Sequence, residues 1–196
     1  MTKRRAYDRT LRAQKASENE ARILVEAERL FATQPFDRVT LGEVAKAAGV
    51  TIPTLQRRFG NKEGLFAACG AVVAARTEGQ RGAPPVGNVS ACIHELIEHY
   101  EREGAMIWHL LRQESDVPLL QVLLAGGRAR HREWVEVVFA EAVGRGDRRK
   151  RRARVDAIVA VTDLFVWKLL RIDLGRSRNE VEALLSTMAE AVAGRA

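Results

Sequence analysis

Only two cysteines occur in 196 residues, Cys69 and Cys92, and neither has a cysteine or histidine partner at metal-ligand spacing. A disulfide framework and a zinc site therefore have no basis, and both thiols are expected to be reduced packing residues. Histidines 94 and 99 are five apart rather than four, with no third ligand nearby in sequence, so no metal is expected. No apolar run reaches the roughly 18 residues of a membrane span. The first residues, "MTKRRAYDRTLRAQKASENE", lack the apolar core of a signal peptide, so no membrane association and a cytoplasmic location are expected. GxSxG, P-loop, GxGxxG and HExxH patterns are all missing, which leaves no catalytic residue and no cofactor site to name. An enzyme of helical fold with unrecognised chemistry is the alternative from another functional class. No segment sustains the two-residue alternation of a half-buried strand, so the fold class is all-α.

What the chain does contain is ample core material and an uneven charge. Apolar residues make up 46% and charged ones 29%, the balance of a globular protein with room for one large domain or two smaller ones. The formal charge of +7 is mostly N-terminal: residues 1–62 carry thirteen Lys/Arg against seven Asp/Glu, whereas residues 63–196 carry nineteen against eighteen. A second basic run, "RGDRRKRRAR" at 145–154, falls at a helix start, where the helix dipole disfavours cations; it reads as solvated surface.

Helix signals are dense at the N-terminal end. Ser17 with Glu20 forms a capping-box pattern, followed by a stripe of Ile23, Leu24, Ala27, Leu30 and Phe31 that ends before Pro35. Thr40 with Glu43 is a second capping box, opening a helix of barely two turns that Gly49 closes. Thr51 is placed to cap a third helix with Pro53 in its first turn, and Asn61 to cap a fourth. A Gly/Pro-rich connection, "EGQRGAPPVGN", follows at 78–88. Further helices are expected at 89–103, 105–114, 117–143, 148–173 and 178–193, with breaks near Gly104, Pro118, "GRGD" and "LGRS".

Two short helices joined at a glycine make a helix-turn-helix. Leu41, Val44, Ala45, Val50, Leu55 and Phe59 supply the apolar wedge between them, which leaves Thr51, Ile52, Thr54, Gln56, Arg57 and Arg58 outward. Such a helix fits a DNA major groove. There Gln and Arg address purine edges, and Thr or Ile meets a thymine methyl.

The stretch "FDRVTLGEVAKAAGVTIPTLQRRFGNKEGLF" at 36–66 resembles the DNA-binding region of the tetracycline-repressor (TetR/AcrR) family of transcriptional regulators, and the likeness extends back over "ARILVEAERLFATQ". By position, the resemblance implies phosphate contacts from Thr40 and Lys62, and base or backbone contacts from Thr51, Ile52, Pro53, Thr54, Gln56 and Arg57. Three positions depart from the family's common residues: Pro53 replaces glycine, Gln56 replaces tyrosine, and Arg58 replaces histidine or tyrosine. The implied protein is a sequence-specific DNA-binding regulator, a homodimeric repressor released from a (pseudo)palindromic double-stranded operator by a small-molecule effector. An activator, or a constitutive or protein-regulated DNA binder, is the alternative within the same fold.

The corresponding organisation is a basic arm at 1–16, a helix-turn-helix domain at 17–61 and a helical ligand-binding and dimerisation domain at 62–196. Phe66, Cys69, Val73, His99, Tyr100, Trp108, Trp134 and Phe165 are the candidate pocket residues that the resemblance implies. In the expected helix at 148–173, Val161, Leu164 and Trp167 lie off the main apolar stripe, so that helix needs two partners. One partner is its own core and the other a second subunit. The candidate dimer interface is Val161, Leu164 and Lys168 with Val181, Leu184, Leu185 and Met188 of the last helix.

Overall fold

A computed structural model describes residues 2–81, 87–144 and 147–193, with the side chains of 2–13, 78–81 and 142 outside the description. Every regular element among the described residues is helical, as the missing two-residue alternation requires. Two compact units divide the chain, Met1–Arg76 and Thr77–Ala196.

In the first unit, α1 (Thr2–Thr33) buries Ile23, Ala27, Leu30 and Phe31, the spacing of one helical face, and packs on α2 (Leu41–Ala48). A single 3-10 turn at Phe36–Arg38 tucks Phe36 inward, where its ring lies 5.7 Å from Phe31 and 5.3 Å from Phe66. α1 starts well before Ser17. The preceding "KRRAYDRTLRAQK" contains no proline or glycine to stop a helix, so the expected arm and first helix are one element. Ser17 and Glu20 are therefore interior helical residues and not a cap.

α2 is capped as expected. Glu43 N–H donates to Thr40 Oγ1 at 3.2 Å, and Thr40 N–H donates to the Glu43 carboxylate at 2.9 Å. Gly49 closes the helix with φ 63°, ψ 37°, a left-handed conformation that glycine adopts at little cost, and Val50 N–H returns to Ala45 O at 2.9 Å. α3 (Ile52–Phe59) has Pro53 in its first turn, but Thr51 makes no side-chain cap. Proline supplies no N–H at the second position, and the N–H at the third, on Thr54, donates to the Thr51 carbonyl. The Thr51 hydroxyl pairs with the Thr54 hydroxyl instead, at 3.0 Å. α4 (Lys62–Arg81) opens with the expected cap, Gly64 N–H donating to Asn61 Oδ1 at 2.8 Å.

The second unit is organised around α5 (Val89–Leu111), which packs against α6 (Pro118–Val138), α9 (Leu164–Lys168) and α10 (Arg178–Ala193); α8 (Arg148–Val161) joins them, with a short α7 (Ala140–Val143) before it. Its core unites Ile93, Leu96 and Ile97 with Trp134, Val135 and Phe139, and with Val155, Ile158, Trp167, Val181 and Leu185. One expected break is absent and one unexpected break is present. α5 runs straight through Gly104, where a Cβ would stand 2.7 Å from the Trp167 ring; the glycine is there for close approach. The expected helix at 148–173 is divided at Thr162 and Asp163, with Asp163 accepting from Phe165 N–H at 2.9 Å to start α9. α9 then continues as a π-helical turn over Leu169–Asp173, in which Leu174 N–H reaches Leu169 O at 2.9 Å. Residues 78–81 of the expected Gly/Pro connection at 78–88 instead end α4, and 82–86, with 145–146 of "GRGD", lie outside the described residues.

Candidate nucleic-acid interface

α3 is anchored by one side chain. Leu55 is 1% exposed and Phe59 half-buried, whereas Thr51, Ile52, Pro53, Gln56, Arg57 and Arg58 are exposed and Thr54 is half-buried. Eight residues make little more than two turns, so a single inward leucine suffices to seat the helix and leaves the rest of its surface for another molecule. Among the described residues, Arg57 enters no ion pair. Arg58, on the flank nearest α1, is held by the carboxylate of Glu20.

Thr40 and Lys62 both sit at helix N-termini, where backbone N–H groups and the helix dipole favour an anion. Each is already engaged. The Thr40 hydroxyl and N–H both donate to Glu43, at 2.8 and 2.9 Å, and these bonds hold the Glu43 carboxyl below the usual carboxylate range. Lys62 Nζ donates to Phe36 O at 2.9 Å and lies 4.4 Å above the Phe36 ring. That clamp fixes the ammonium at the start of α4 and leaves two of its three donors for a phosphate.

The candidate pocket residues divide between the two units. Phe66 is a core ring of the first unit, edge-on to Phe31 at 4.8 Å, and Cys69 is buried beside it in sequence with Sγ 3.8 Å from Leu24 O. Burial, with the Glu28 charge second, pushes the Cys69 thiol up to about 12. Cys92 rises to about 11 by burial and then by Glu95. Both are inert packing thiols at neutral pH. Val73 is half-buried in α4.

His99, Tyr100 and Trp134 are buried in the second unit, the two neighbouring rings of His99 and Tyr100 lying 5.6 Å apart. Trp108 and Phe165 meet edge-on at 5.4 Å, with Lys168 Nζ 4.7 Å over the Trp108 ring. Sequence periodicity gave no hint that Thr162 is a hub. Its carbonyl accepts from Tyr100 Oη at 2.8 Å, and its hydroxyl donates to Ile158 O at 2.7 Å and stands 3.0 Å from His131 Nε2. One hydroxyl proton cannot serve both neighbours, so His131 donates from Nε2. Separately, an open polar groove of about 670 Å³ lies between α5 and α10, lined by Ser90, His94, Glu98, Arg178, Glu182 and Ser186.

Of the candidate interface residues, Leu164, Val181 and Leu185 are buried in the unit's own core. Val161 and Met188 are half-buried, and Leu184 is exposed. Lys168 pairs with Asp173 at 2.8 Å. Among the large apolar side chains left in solvent, Phe165, Leu169 and Ile172, 54%, 49% and 59% exposed, cluster in sequence with Leu174; Val122 and Val137 of α6 are exposed as well. Phe165 and Leu169, four apart, share one face where α9 runs into the π turn, and Ile172 follows within that turn. Among the described residues there is no group of three metal-ligating side chains, and no helix is long and apolar enough to cross a membrane.

A cation-bearing helix seated by one leucine behind a glycine turn defines a helix-turn-helix of the DNA-binding class. Residues 23–69 match the family described as bacterial regulatory proteins, tetR family. The chain thus carries the TetR-family DNA-binding helix-turn-helix over that stretch. About nine-tenths of the chain shares a fold with solved structures of transcriptional regulators. One is a TetR-family transcriptional regulator from Streptomyces coelicolor, 23% identical, covering 91% of this chain and 95% of that one with a TM-score of 0.66. A second from the same organism is 19% identical over 90% and 80%, with a TM-score of 0.68. A TetR-like transcriptional regulator from Rhodococcus sp. RHA1 is 18% identical over 91% and 97%, at 0.67. No curated protein sequence matches the chain significantly.

Proposed function

We propose that the protein is a homodimeric transcriptional repressor of the cytoplasm that binds a (pseudo)palindromic operator through α3 and is released by a small-molecule effector held in the second unit. The observation that carries the DNA-binding part is the α3 surface: Gln56 and Arg57 stand exposed on a helix whose only buried side chain is Leu55. Thr40 and Lys62, at the N-termini of α2 and α4, supply phosphate contacts that set its register on the duplex.

The exposed group of Phe165, Leu169 and Ile172, with Leu184 on α10, supports the dimer, since an apolar group of this kind is stabilised by burial against a copy of itself. Two α3 helices in a dimer enter major grooves about 34 to 36 Å apart, or a multiple of that, so a modest change of subunit tilt controls binding. An apolar or amphipathic effector seated near Tyr100 and Trp134 lowers operator affinity only by its preference for the non-binding state, typically 1 to 3 kcal/mol.

The test is a duplex-binding titration with DNA flanking the gene, repeated with every compound that raises the melting temperature. Specific, palindrome-dependent binding weakened by such a compound supports the whole reading. Linkage requires operator DNA to weaken compound binding by the same factor. Specific binding that no stabilising compound alters leaves a constitutive DNA binder and removes the effector.

A further inference from the structure

Arg57 and Arg58 are consecutive on α3, so about 100° of helical rotation separates them. Their surroundings differ accordingly. Arg57 projects from the outward face, while Arg58 turns toward α1 and donates from Nη2 to Glu20 Oε2, with the two side chains 54% and 31% exposed. Two residues on from Glu20, Arg22 Nε donates to Ala48 O at 2.8 Å and its Nη2 to Asn19 Oδ1 at 2.7 Å, which pins this level of the α1 backbone to the end of α2. Glu20 thus presents its negative charge to the end of α3 from a stretch of α1 whose position is set.

A guanidinium in that place, left to itself, binds the phosphate backbone of any sequence. Resting on the reading of α3 as the DNA-contacting helix, we propose that Glu20 is an electrostatic brake: it occupies Arg58 and withholds one sequence-independent phosphate contact from duplex DNA. Arg57, one residue earlier, is left as the cation that addresses DNA. The brake lowers affinity for bulk DNA without touching any residue that reads a base, and a regulator that must find one site among many benefits from that restraint. A carboxylate competes with a phosphate for the same guanidinium fork, because both accept it through two parallel hydrogen bonds.

The experiment uses the full chain, a random-sequence duplex, and binding constants measured across salt concentrations for wild type, Glu20→Gln, Arg58→Ala and the double variant. Each added phosphate contact steepens the slope of log K against log salt by about 0.9, an extra loss of about 3.5-fold between 50 and 200 mM. Glu20→Gln is expected to bind random duplex more tightly at low salt with a slope steeper by that amount. Arg58→Ala alone is expected to leave the wild-type slope unchanged, and in the double variant to abolish the gain. Two results overturn the proposal: a Glu20→Gln slope equal to wild type, or an Arg58→Ala slope already flatter by one contact, which places Arg58 on phosphate despite Glu20. A Glu20→Gln protein that melts earlier and binds more weakly also overturns it, and makes the pair a structural strap between α1 and α3. Wild-type protein showing no salt-dependent duplex binding defeats the DNA reading itself, a failure distinct from the others. Glu20→Ala serves as a second variant, since it removes the charge without offering Arg58 an amide oxygen.

Discussion

The two units each leave one helical face unused by their own folding, and the two faces are of opposite chemistry. On α3 the unused face is polar and cationic, behind the single anchor Leu55; on α9 and its π turn it is apolar, behind Leu164 and Trp167. The contrast teaches what each face can meet. Cations and amides in water are attracted to a polyanion and weakened by salt, whereas an apolar face gains by excluding water and is nearly indifferent to salt. The two faces thus answer to different solution conditions.

The largest effects should separate core from interface in the second unit. Leu185→Ala, which empties a fully buried site, is expected to cost about 2 to 5 kcal/mol in denaturant unfolding. Ile172→Glu should leave the fold of the unit intact yet yield monomer by sedimentation, because burying that carboxylate at a subunit contact is strongly unfavourable. Dimers that persist would detach the apolar face from self-association. Gly104→Ala comes next, at about 1 to 3 kcal/mol, since its methyl must displace the Trp167 ring. A melt unchanged by this substitution would mean that the indole moves freely.

On the polar face, Arg57→Ala should weaken a specific site by about 1 to 3 kcal/mol if the residue reads a guanine, and random duplex much less. Lys62→Ala should weaken every sequence alike and flatten the salt slope. Equal losses on both duplexes for Arg57→Ala would reassign it to the backbone. The smallest effect is one the two units share. Glu43 and Glu180 are both held below the usual carboxylate range by a capping hydroxyl and N–H, from Thr40 and Ser177. A depressed folded-state value means that the stabilisation is present above the ordinary carboxylate range and is lost as pH falls through the lower, folded value. The melting difference between wild type and Glu43→Gln, or Glu180→Gln, should therefore be widest near neutral pH and close under strong acid. A gap that stays constant with pH would sever the charge from the cap.

Most of the first unit was legible because its signals are local. Thr40 and Glu43, Gly49, Pro53 and Asn61 act within three or four residues of where they stand, and each does in the structure what its chemistry prescribes. The exceptions are residues whose partners are distant. Ser17 and Glu20 satisfy a capping pattern, yet they also fit a helix interior, and Glu20 meets Arg58. Thr51 is a good cap residue deprived of its donor by Pro53. Gly104 illustrates the same ambiguity in the second unit: glycine marks a break or a close approach, and the choice rests on Trp167, far along the chain. Periodicity likewise showed that the helices around residues 161–169 are apolar on several sides. It could not say which side each face would find, so Leu164 and Leu185 were assigned outward and Leu169 and Ile172 were not.

The π turn at Leu169–Asp173 has an evolutionary consequence. One residue inserted into an ordinary helix rotates everything downstream by about 100° and would tear the following segment from its anchors; a wide turn confines that rotation to a few residues. The exposed Ile172 and Leu174 can therefore change phase by a single insertion or deletion while Trp167 and Leu164 upstream keep their places inside.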